Sequence, residues 1–366
     1  MSDFSAVDSV HMAHALKLAR RGQYSARPNP VVGCVIVRDD KVVGTGWHQR
    51  AGEPHAEINA LQAAGDDAAG ATVYVTLEPC AHHGKTPPCA EALISANVSA
   101  VFVAMEDPNA AVAGRGLALL RAAGIRVEAG LMAAEAAALN PGFVSRMTRG
   151  RPLLRLKIAA SIDGAIAMRN GDSQWITGPE ARADVQRLRA RSGAVMTGIG
   201  TVLADDPSLN VRDTGLAEQC AQPMRVVLDS QLRMPLAATM LTLPGTTLVC
   251  FAGDKDPERV LAAGAEVFCT GPDHAQVDVA AVLWELARRE VNEVLVEAGP
   301  ELAGHLLEQR LVDELVIYQS PHIMGSETRR MFKTPALQQL ADRLRVDIFD
   351  VRRFGDDTRI RAGIAD

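Results

Sequence analysis

A chain of 366 residues is longer than one ordinary hydrophobic core, so two domains are expected. Its 48% hydrophobic and 22% charged residues suit a globular protein, and no run of about 18 apolar residues offers a membrane span. The net charge is −6, and neither half has the basic excess of a protein that tracks a phosphate backbone, so a small-molecule enzyme is favoured over a nucleic-acid binder.

Apolar residues recur at helical spacing over 7–21, and Gly22 stops the pattern. Acids precede the basic residues there without a long apolar core between them, which suits an amphipathic helix and not a secretion signal. After the turn-rich Arg27-Pro28-Asn29-Pro30, the β-branched run 31–37 predicts a buried strand, and Asp39-Asp40 turns it into a second strand over 41–47. A helix over 55–64 would place His55 and Glu57 at its N-terminus. A strand over 71–77 would deliver Glu78-Pro79-Cys80, and a helix over 89–96 would open on Cys89. A strand over 98–105, a helix over 116–123 and a short strand over 126–130 complete an α/β layered domain ending near residue 145. Residues 132–138 form an alanine-rich helical segment. The basic stretch 146–152, with Gly150 and Pro152, is the predicted linker.

A second β/α series follows. Strands are expected over 153–159, 194–198, 225–228, 247–251, 266–269, 293–297 and 314–319, with helices over 179–191, 277–289 and 300–309. The six cysteines (Cys34, Cys80, Cys89, Cys220, Cys250 and Cys269) show no dense framework, which points to a reducing cytoplasm.

His55-Ala56-Glu57, Pro79-Cys80 and Cys89 carry the chemistry of the first half. One imidazole and two thiolates can hold a zinc ion and leave a fourth position open for water, as catalytic zinc sites do. Glu57 is then free to take the proton from water and pass it to a departing amine, the arrangement of zinc deaminases that attack amino-substituted rings. Their usual P-C-x-x-C spacing is not kept here, because His83 stands at the fourth position and the second cysteine waits until Cys89. Two other readings are a buried cysteine pair with a core histidine, and a structural zinc completed by His82 or His83.

The second half has no zinc signature. Gly198-Ile199-Gly200 follows a predicted strand, but Leu203 stands where a dinucleotide fingerprint needs its third glycine. Leu295-Val296-Glu297-Ala298-Gly299-Pro300-Glu301-Leu302 reads as a strand leading into a helix N-terminus that offers free N–H groups to a phosphate. It reads equally well as an ordinary strand–helix joint.

Longer stretches decide between these readings. Asn29-Pro30-Val31-Val32-Gly33, Gly52-Glu53-Pro54-His55-Ala56-Glu57 and Thr76-Leu77-Glu78-Pro79-Cys80-Ala81-His82-His83-Gly84-Lys85-Thr86-Pro87-Pro88-Cys89 resemble the deaminase half of the bacterial bifunctional riboflavin-biosynthesis deaminase–reductases. Lys157-Ile158-Ala159-Ala160-Ser161-Ile162-Asp163-Gly164, Ser173-Gln174-Trp175-Ile176-Thr177, the run 201–212, Val227-Leu228-Asp229-Ser230 and Glu297-Ala298-Gly299-Pro300 resemble the reductase half of the same family. In that family the second thiolate follows the inserted H-G-x-T-P-P-C, so the stretched spacing is a family mark.

The resemblance implies an α/β fold in two parts. A cytidine-deaminase-like three-layer α/β/α domain with a mixed sheet would occupy 1–148, and a dihydrofolate-reductase-like α/β domain 149–366. It implies hydrolytic deamination of 2,5-diamino-6-(5-phosphoribosylamino)pyrimidin-4(3H)-one, followed by NADPH-dependent reduction of the product's ribosyl group to ribityl. Zinc would sit on His55, Cys80 and Cys89 with Glu57 as proton shuttle, and Asn29, His48, Lys85, Asp107 and Asn109 would contact the substrate. NADPH would lie near Ala159, Trp175, Thr201, Asp205, Ser230, Gly299, Pro300, Glu301 and Leu302. The sugar phosphate would lie near Ser173, Arg189, Leu209, Arg212 and Glu297, with Asp205 or Glu297 as proton donor. A cytoplasmic homo-oligomer, with a dimer favoured, acting on a small phosphorylated pyrimidine completes the expectation. A nucleic-acid base deaminase with an appended binding domain and an inactive zinc scaffold are the rivals. The 4% aromatic content speaks against the first, and the uncoordinated Glu57 against the second.

Overall fold

The computed structural model describes residues 4–81 and 88–365, and the chain divides into two compact units, Met1–Gly150 and Arg151–Asp366. In the first unit, β1 (Gly33–Arg38) is buried along all but its last residue and turns through Asp39 and Asp40 into β2 (Lys41–Trp47). Both turn residues take positive φ, 49° and 58°, the backbone hand that a tight hairpin requires. β1 also pairs antiparallel with β3 (Thr72–Val75), after which β4 (Ala100–Val103) and β5 (Arg126–Ala129) add in parallel, giving the order β2-β1-β3-β4-β5.

Among the described residues the α-helices of this unit are α1 (Ala6–Ala19), α2 (Ala56–Ala64), α3 (Cys89–Ser95), α4 (Arg115–Ala122), α5 (Ala133–Leu139) and α6 (Pro141–Arg149). One sheet face packs Val73, Val75, Val101 and Val103 against Ala56 and Ala60 of α2, Leu93 of α3 and Leu117 and Leu120 of α4. The other packs Val35, Val37, Tyr74 and Phe102 against Met12 and Leu16 of α1 and Ala136 of α5. The result is the expected three-layer α/β/α arrangement with a mixed sheet.

Alanine and glycine set the layer spacing. A Cβ on Gly33 would lie 2.0 Å from the Ala15 carbonyl oxygen, so α1 rests directly on the backbone of β1. Gly33→Ala is expected to destabilise the first unit by about 1–3 kcal/mol through overpacking, read as a lower thermal unfolding midpoint.

The predicted linker over 146–152 is corrected by the structure. Residues 146–149 form the last turn of α6, which Gly150 ends in the left-handed conformation at φ 68°. The predicted first helix likewise gives way to a 3-10 turn at Arg20–Gly22.

The second unit is built on a nine-stranded sheet. Its strands are β6 (Leu153–Ser161), β8 (Ala194–Gly198), β9 (Met224–Leu228), β10 (Thr247–Phe251), β11 (Glu266–Cys269), β12 (Glu293–Glu297), β13 (Glu314–Ser320), β15 (Val346–Phe354) and β16 (Asp357–Ile364). Their order is β11-β10-β9-β8-β12-β6-β13-β16-β15, and short β7 (Ala165–Ala167) pairs separately with β14 (Arg329–Arg330). Pairing is parallel from β11 to β13 and antiparallel through the β15–β16 hairpin. The helices are α7 (Pro179–Arg191), α8 (Ile199–Asp205), the short α9 (Thr214–Ala217), α10 (Thr239–Thr242) and α11 (Glu258–Ala262), then α12 (Val279–Arg288) and α13 (Pro300–Glu308). Leu156, Val226, Leu248 and Val296 meet α12 and α13 on one face, and Val195, Val227, Val249 and Leu295 meet α8 and the α10 region on the other. No helix among the described residues is long and apolar enough to cross a membrane.

Candidate active sites

In the first unit the metal-type donors converge from two helix starts. His55 is the N-cap of α2 with an extended backbone, and its side chain makes no capping bond, which leaves the ring free to turn inward. Cys89 is the first residue of α3, and Cys80 lies beyond β3. The His55 Nδ1 lies 3.2 Å from the Cys89 Sγ and 3.7 Å from the Cys80 Sγ. The Cys89 backbone N–H points at the Cys80 sulfur at 3.3 Å. All three ligand atoms fall within 4.8 Å of one another.

The electrostatics agree with this grouping. A hydrogen bond from the Cys89 thiol, aided by the His55 ring and the Cys89 amide, pulls Cys80 down to about 4 against the pull of burial. The same bond to Cys80, together with burial, pushes Cys89 up. Glu57, in the first turn of α2, is 3% exposed, and burial pushes its carboxyl up to about 7 although the His55 ring pulls the other way. A carboxyl balanced there can both accept and return a proton near neutral pH.

Above the cluster lies a cleft of about 410 Å³ lined in part by Asn29, His48, Glu57, Asp107, Asn109 and Phe143. Burial lowers the His48 imidazole, favouring its neutral form. The Asn29 Nδ2 donates to His48 Nε2 at 3.0 Å, and His48 Nδ1 donates to the Pro54 carbonyl at 3.2 Å, a pairing that selects the Nδ1–H tautomer. Four of the five substrate residues named from the sequence thus share one cleft with the metal cluster, while Lys85 lies outside the described residues.

Asn140 escaped the sequence reading. Its amide accepts from the Val31 N–H at 2.8 Å and donates to the Val31 carbonyl at 2.9 Å, so it anchors the Asn29 segment in the manner of a neighbouring strand. The two residues are 109 positions apart, and no local pattern announces the bond.

In the second unit several of the named residues lie at or just beyond the carboxyl ends of parallel strands, where open α/β sheets place their ligands. Glu297 ends β12, Ala159 lies on β6, Thr201 and Asp205 lie on α8 after β8, and Ser230 follows β9. Gly299 is the N-cap of α13 and offers no side-chain cap, with Pro300 at the first helical position. Those backbone N–H groups are available to a phosphate. Thr197 Oγ1 and Asp229 Oδ1, at the same sheet edge, are buried and lack hydrogen-bond partners among the described residues. Trp175 is 65% exposed, with the Arg182 guanidinium 4.8 Å from its ring centre. Glu301 is exposed and paired with Lys333, Ser173 and Leu302 are half-buried, and Leu209 is buried with φ 46°.

Arg189 and Glu297 form a bidentate pair at 2.6 and 3.0 Å, and Arg189 Nη1 also donates to the Asn210 carbonyl. The Arg189 fork is therefore engaged by Glu297, itself one of the residues named for the sugar-phosphate site. Arg212 is exposed and spends one nitrogen on Ser208, so it is the arginine with donors to spare.

Burial would raise the Glu297 carboxyl, but Arg189 and Lys157 hold it at about 2. In this setting Glu297 is held ionised at neutral pH between Arg189 and Lys157. The Lys157 Nζ lies 3.9 Å from Glu297. Burial and the nearby Arg189 lower its ammonium.

Comparison with known proteins finds a match for each unit and for the whole chain. Residues 5–105 match the cytidine and deoxycytidylate deaminase zinc-binding region, and residues 152–360 match the RibD C-terminal domain. The riboflavin biosynthesis protein RibD of Escherichia coli (strain K12) is 48% identical over 359 residues, covering 96% of this chain and 97% of that protein. A crystal form of Acinetobacter baumannii RibD superposes with a TM-score of 0.92 at 45% identity, covering 98% of this chain and 99% of the other. A Thermotoga maritima structure described as a diaminohydroxyphosphoribosylaminopyrimidine deaminase/5-amino-6-(5-phosphoribosylamino)uracil reductase gives 0.86 at 30% identity, with coverage of 98% and 99%. With a deaminase-type metal cluster in one unit, a ligand-ready sheet edge in the other and full-length relatives that join both, the chain belongs to the RibD family of bifunctional riboflavin-biosynthesis deaminase–reductases.

Proposed function

We propose that the first unit is a zinc-dependent hydrolytic deaminase and the second an NADPH-dependent reductase that takes its deaminated product. The observation that carries the first half is the meeting of one imidazole and two thiols beside a buried carboxyl that is not needed as a ligand. The donors fit zinc in kind and number, and a bound cation would hold both sulfurs as thiolates. When bound, zinc supplies a Lewis acid that makes water reactive at neutral pH. Glu57 takes the proton of the attacking water and returns it to the departing ammonia. Asn29, oriented by neutral His48, and Asn109 suit the donor–acceptor edge of a pyrimidine, and Asp107 borders the same space. Lys85 supplies a cation for the substrate phosphate.

In the second unit the uncapped α13 N-terminus, with Gly299 to Leu302, holds cofactor phosphate. Ala159, Thr201 and Ser230 border the cofactor, and Trp175 covers it with apolar surface. Bound NADPH supplies the hydride for the ribosyl carbon. Arg212 and Ser173 take the substrate phosphate, Leu209 shapes the pocket, and Glu297, held ionised, accepts from ribosyl hydroxyls. Lys157 gives the proton that the ribosyl oxygen needs, with exposed Asp205 as the alternative donor.

The test is an assay on 2,5-diamino-6-(5-phosphoribosylamino)pyrimidin-4(3H)-one that scores ammonia release and NADPH oxidation separately, with metal content measured alongside. Wild type should do both. Cys89→Ser should lose zinc and ammonia release yet oxidise NADPH on the deaminated substrate. Arg212→Ala should raise KM for the reduction by about 10- to 100-fold, the worth of a charge-assisted hydrogen bond. Ammonia release by metal-free protein would overturn the zinc assignment.

A further inference from the structure

Glu78 stands two residues before Cys80, is 6% exposed, and has no part in the metal cluster. Its carboxylate is met by backbone N–H groups from one distant segment. Oε2 accepts from Asp107 at 3.1 Å and Gly114 at 2.9 Å. Oε1 accepts from Gly116 at 2.9 Å and, at greater length, Leu117 at 3.4 Å. The last two donors belong to the first turn of α4, whose N-cap, Gly114, has no side chain to offer them. Glu78 therefore caps that helix from across the fold, where a negative charge is favoured.

The approach is close. A Cβ on Gly116 would lie 1.9 Å from the Pro79 carbonyl oxygen, so the helix start rests against the peptide that leads into Cys80. Between the two anchoring points, the loop braces itself. Asp107 Oδ1 accepts from the Asn109 N–H at 2.9 Å, and Asn109 Oδ1 accepts from the Ala111 N–H at 3.1 Å. Asp107 and Asn109 both line the cleft over His55 and Cys80. One carboxylate thus ties the segment that carries a metal ligand to the segment that faces the substrate.

We propose that Glu78 is a positioning residue for deamination, which holds residues 107–117 in register with the metal cluster so that Asp107 and Asn109 meet the bound ring. The proposal rests on the deaminase reading above. Four donors converging from two directions need two anionic oxygens. A glutamine of the same shape offers one acceptor oxygen and turns its NH₂ against the remaining N–H groups.

Glu78→Gln in the full-length, zinc-loaded protein tests this. KM for the diaminopyrimidine phosphate should rise about tenfold or more, as expected for lost hydrogen bonds to a charged acceptor, with kcat within about threefold of wild type. Zinc content and NADPH oxidation on separately supplied deaminated substrate should not change, the latter reporting an intact fold in the same chain. Backbone hydrogen exchange should accelerate over residues 105–118 and nowhere else in the first unit. Glu78→Asp, which keeps the charge but falls one methylene short, should lie between wild type and Glu78→Gln in both KM and exchange. Unchanged KM with unchanged loop exchange in both variants would overturn the proposal, as would loss of zinc with activity. Absence of ammonia release by the zinc-loaded wild-type protein on this substrate would instead overturn the deaminase reading, without touching the exchange result.

Discussion

Replacing Glu57 with glutamine is expected to lower ammonia release by about 10²- to 10⁴-fold, the usual contribution of a positioned acid–base group. The substitution keeps the shape of a side chain that is 3% exposed in the first turn of α2, so the cleft should not collapse. What it removes is the ability to hold a proton at this place. Burial sets the Glu57 carboxyl at about 7, where it can take a proton from water and give it up again, whereas an amide can do neither. His55, Cys80 and Cys89 form the ligand group without Glu57, so zinc measured by atomic absorption should remain at the wild-type level. Reduction of separately supplied deaminated substrate should continue at its normal rate. Loss of zinc together with activity would make Glu57 a ligand and sink the proton-shuttle role.

The second large effect lies in the reductase core. Arg155 is 1% exposed and bonds Glu293 and Glu314, both at 2.9 Å, across β12, β6 and β13. Arg155→Met leaves two buried carboxylates with only Arg191 and Arg361 to answer them. Breaking a buried pair from one side costs about 3–5 kcal/mol, readable at pH 7 as a shifted denaturation midpoint for NADPH oxidation.

The same site predicts a pH dependence. Burial would raise the Glu293 carboxyl, but Arg191 and Arg155 hold it at about 2, below the ordinary 4.5. A carboxyl more acidic in the folded chain contributes its stability fully above about 4.5 and loses it as the pH falls towards 2. The gap between wild type and Arg155→Met should therefore narrow over that interval. A gap of equal size at pH 7 and pH 3 would show that packing, not charge, accounts for the loss.

Legibility in the sequence followed burial. Strands β8, β10 and β12 begin and end where they are expected, because strands buried along most of their length are written as largely apolar runs. Helix α7 is equally plain, since Gly178-Pro179 marks its start. The β15–β16 hairpin was not expected. β15 is exposed along most of its length, and its Val-Asp-Ile-Phe-Asp-Val-Arg-Arg-Phe shows no alternation to betray a sheet edge.

The sites divide in the same way. His55, Glu57, Cys80 and Cys89 are residue types whose chemistry is visible without a fold. Glu78 and Asn140 act on backbone groups, which leave no mark on side-chain pattern, and Arg189 met Glu297 from 108 positions away. The stretched interval between the two cysteines was the better guide, because it distinguished one branch of the deaminases and with it the second domain.

The place of β6 has a consequence for synthesis. It is the first strand of its unit to leave the ribosome, yet it lies between β12 and β13, and its Arg155 waits for Glu314, 159 residues later. The first unit has its last strand, β5, in hand by Ala129. At about 5–20 residues per second, the deaminase sheet has all its strands on the order of ten to forty seconds before the centre of the reductase sheet can form. During that interval an apolar strand must stay soluble without its neighbours, beside a partner already complete.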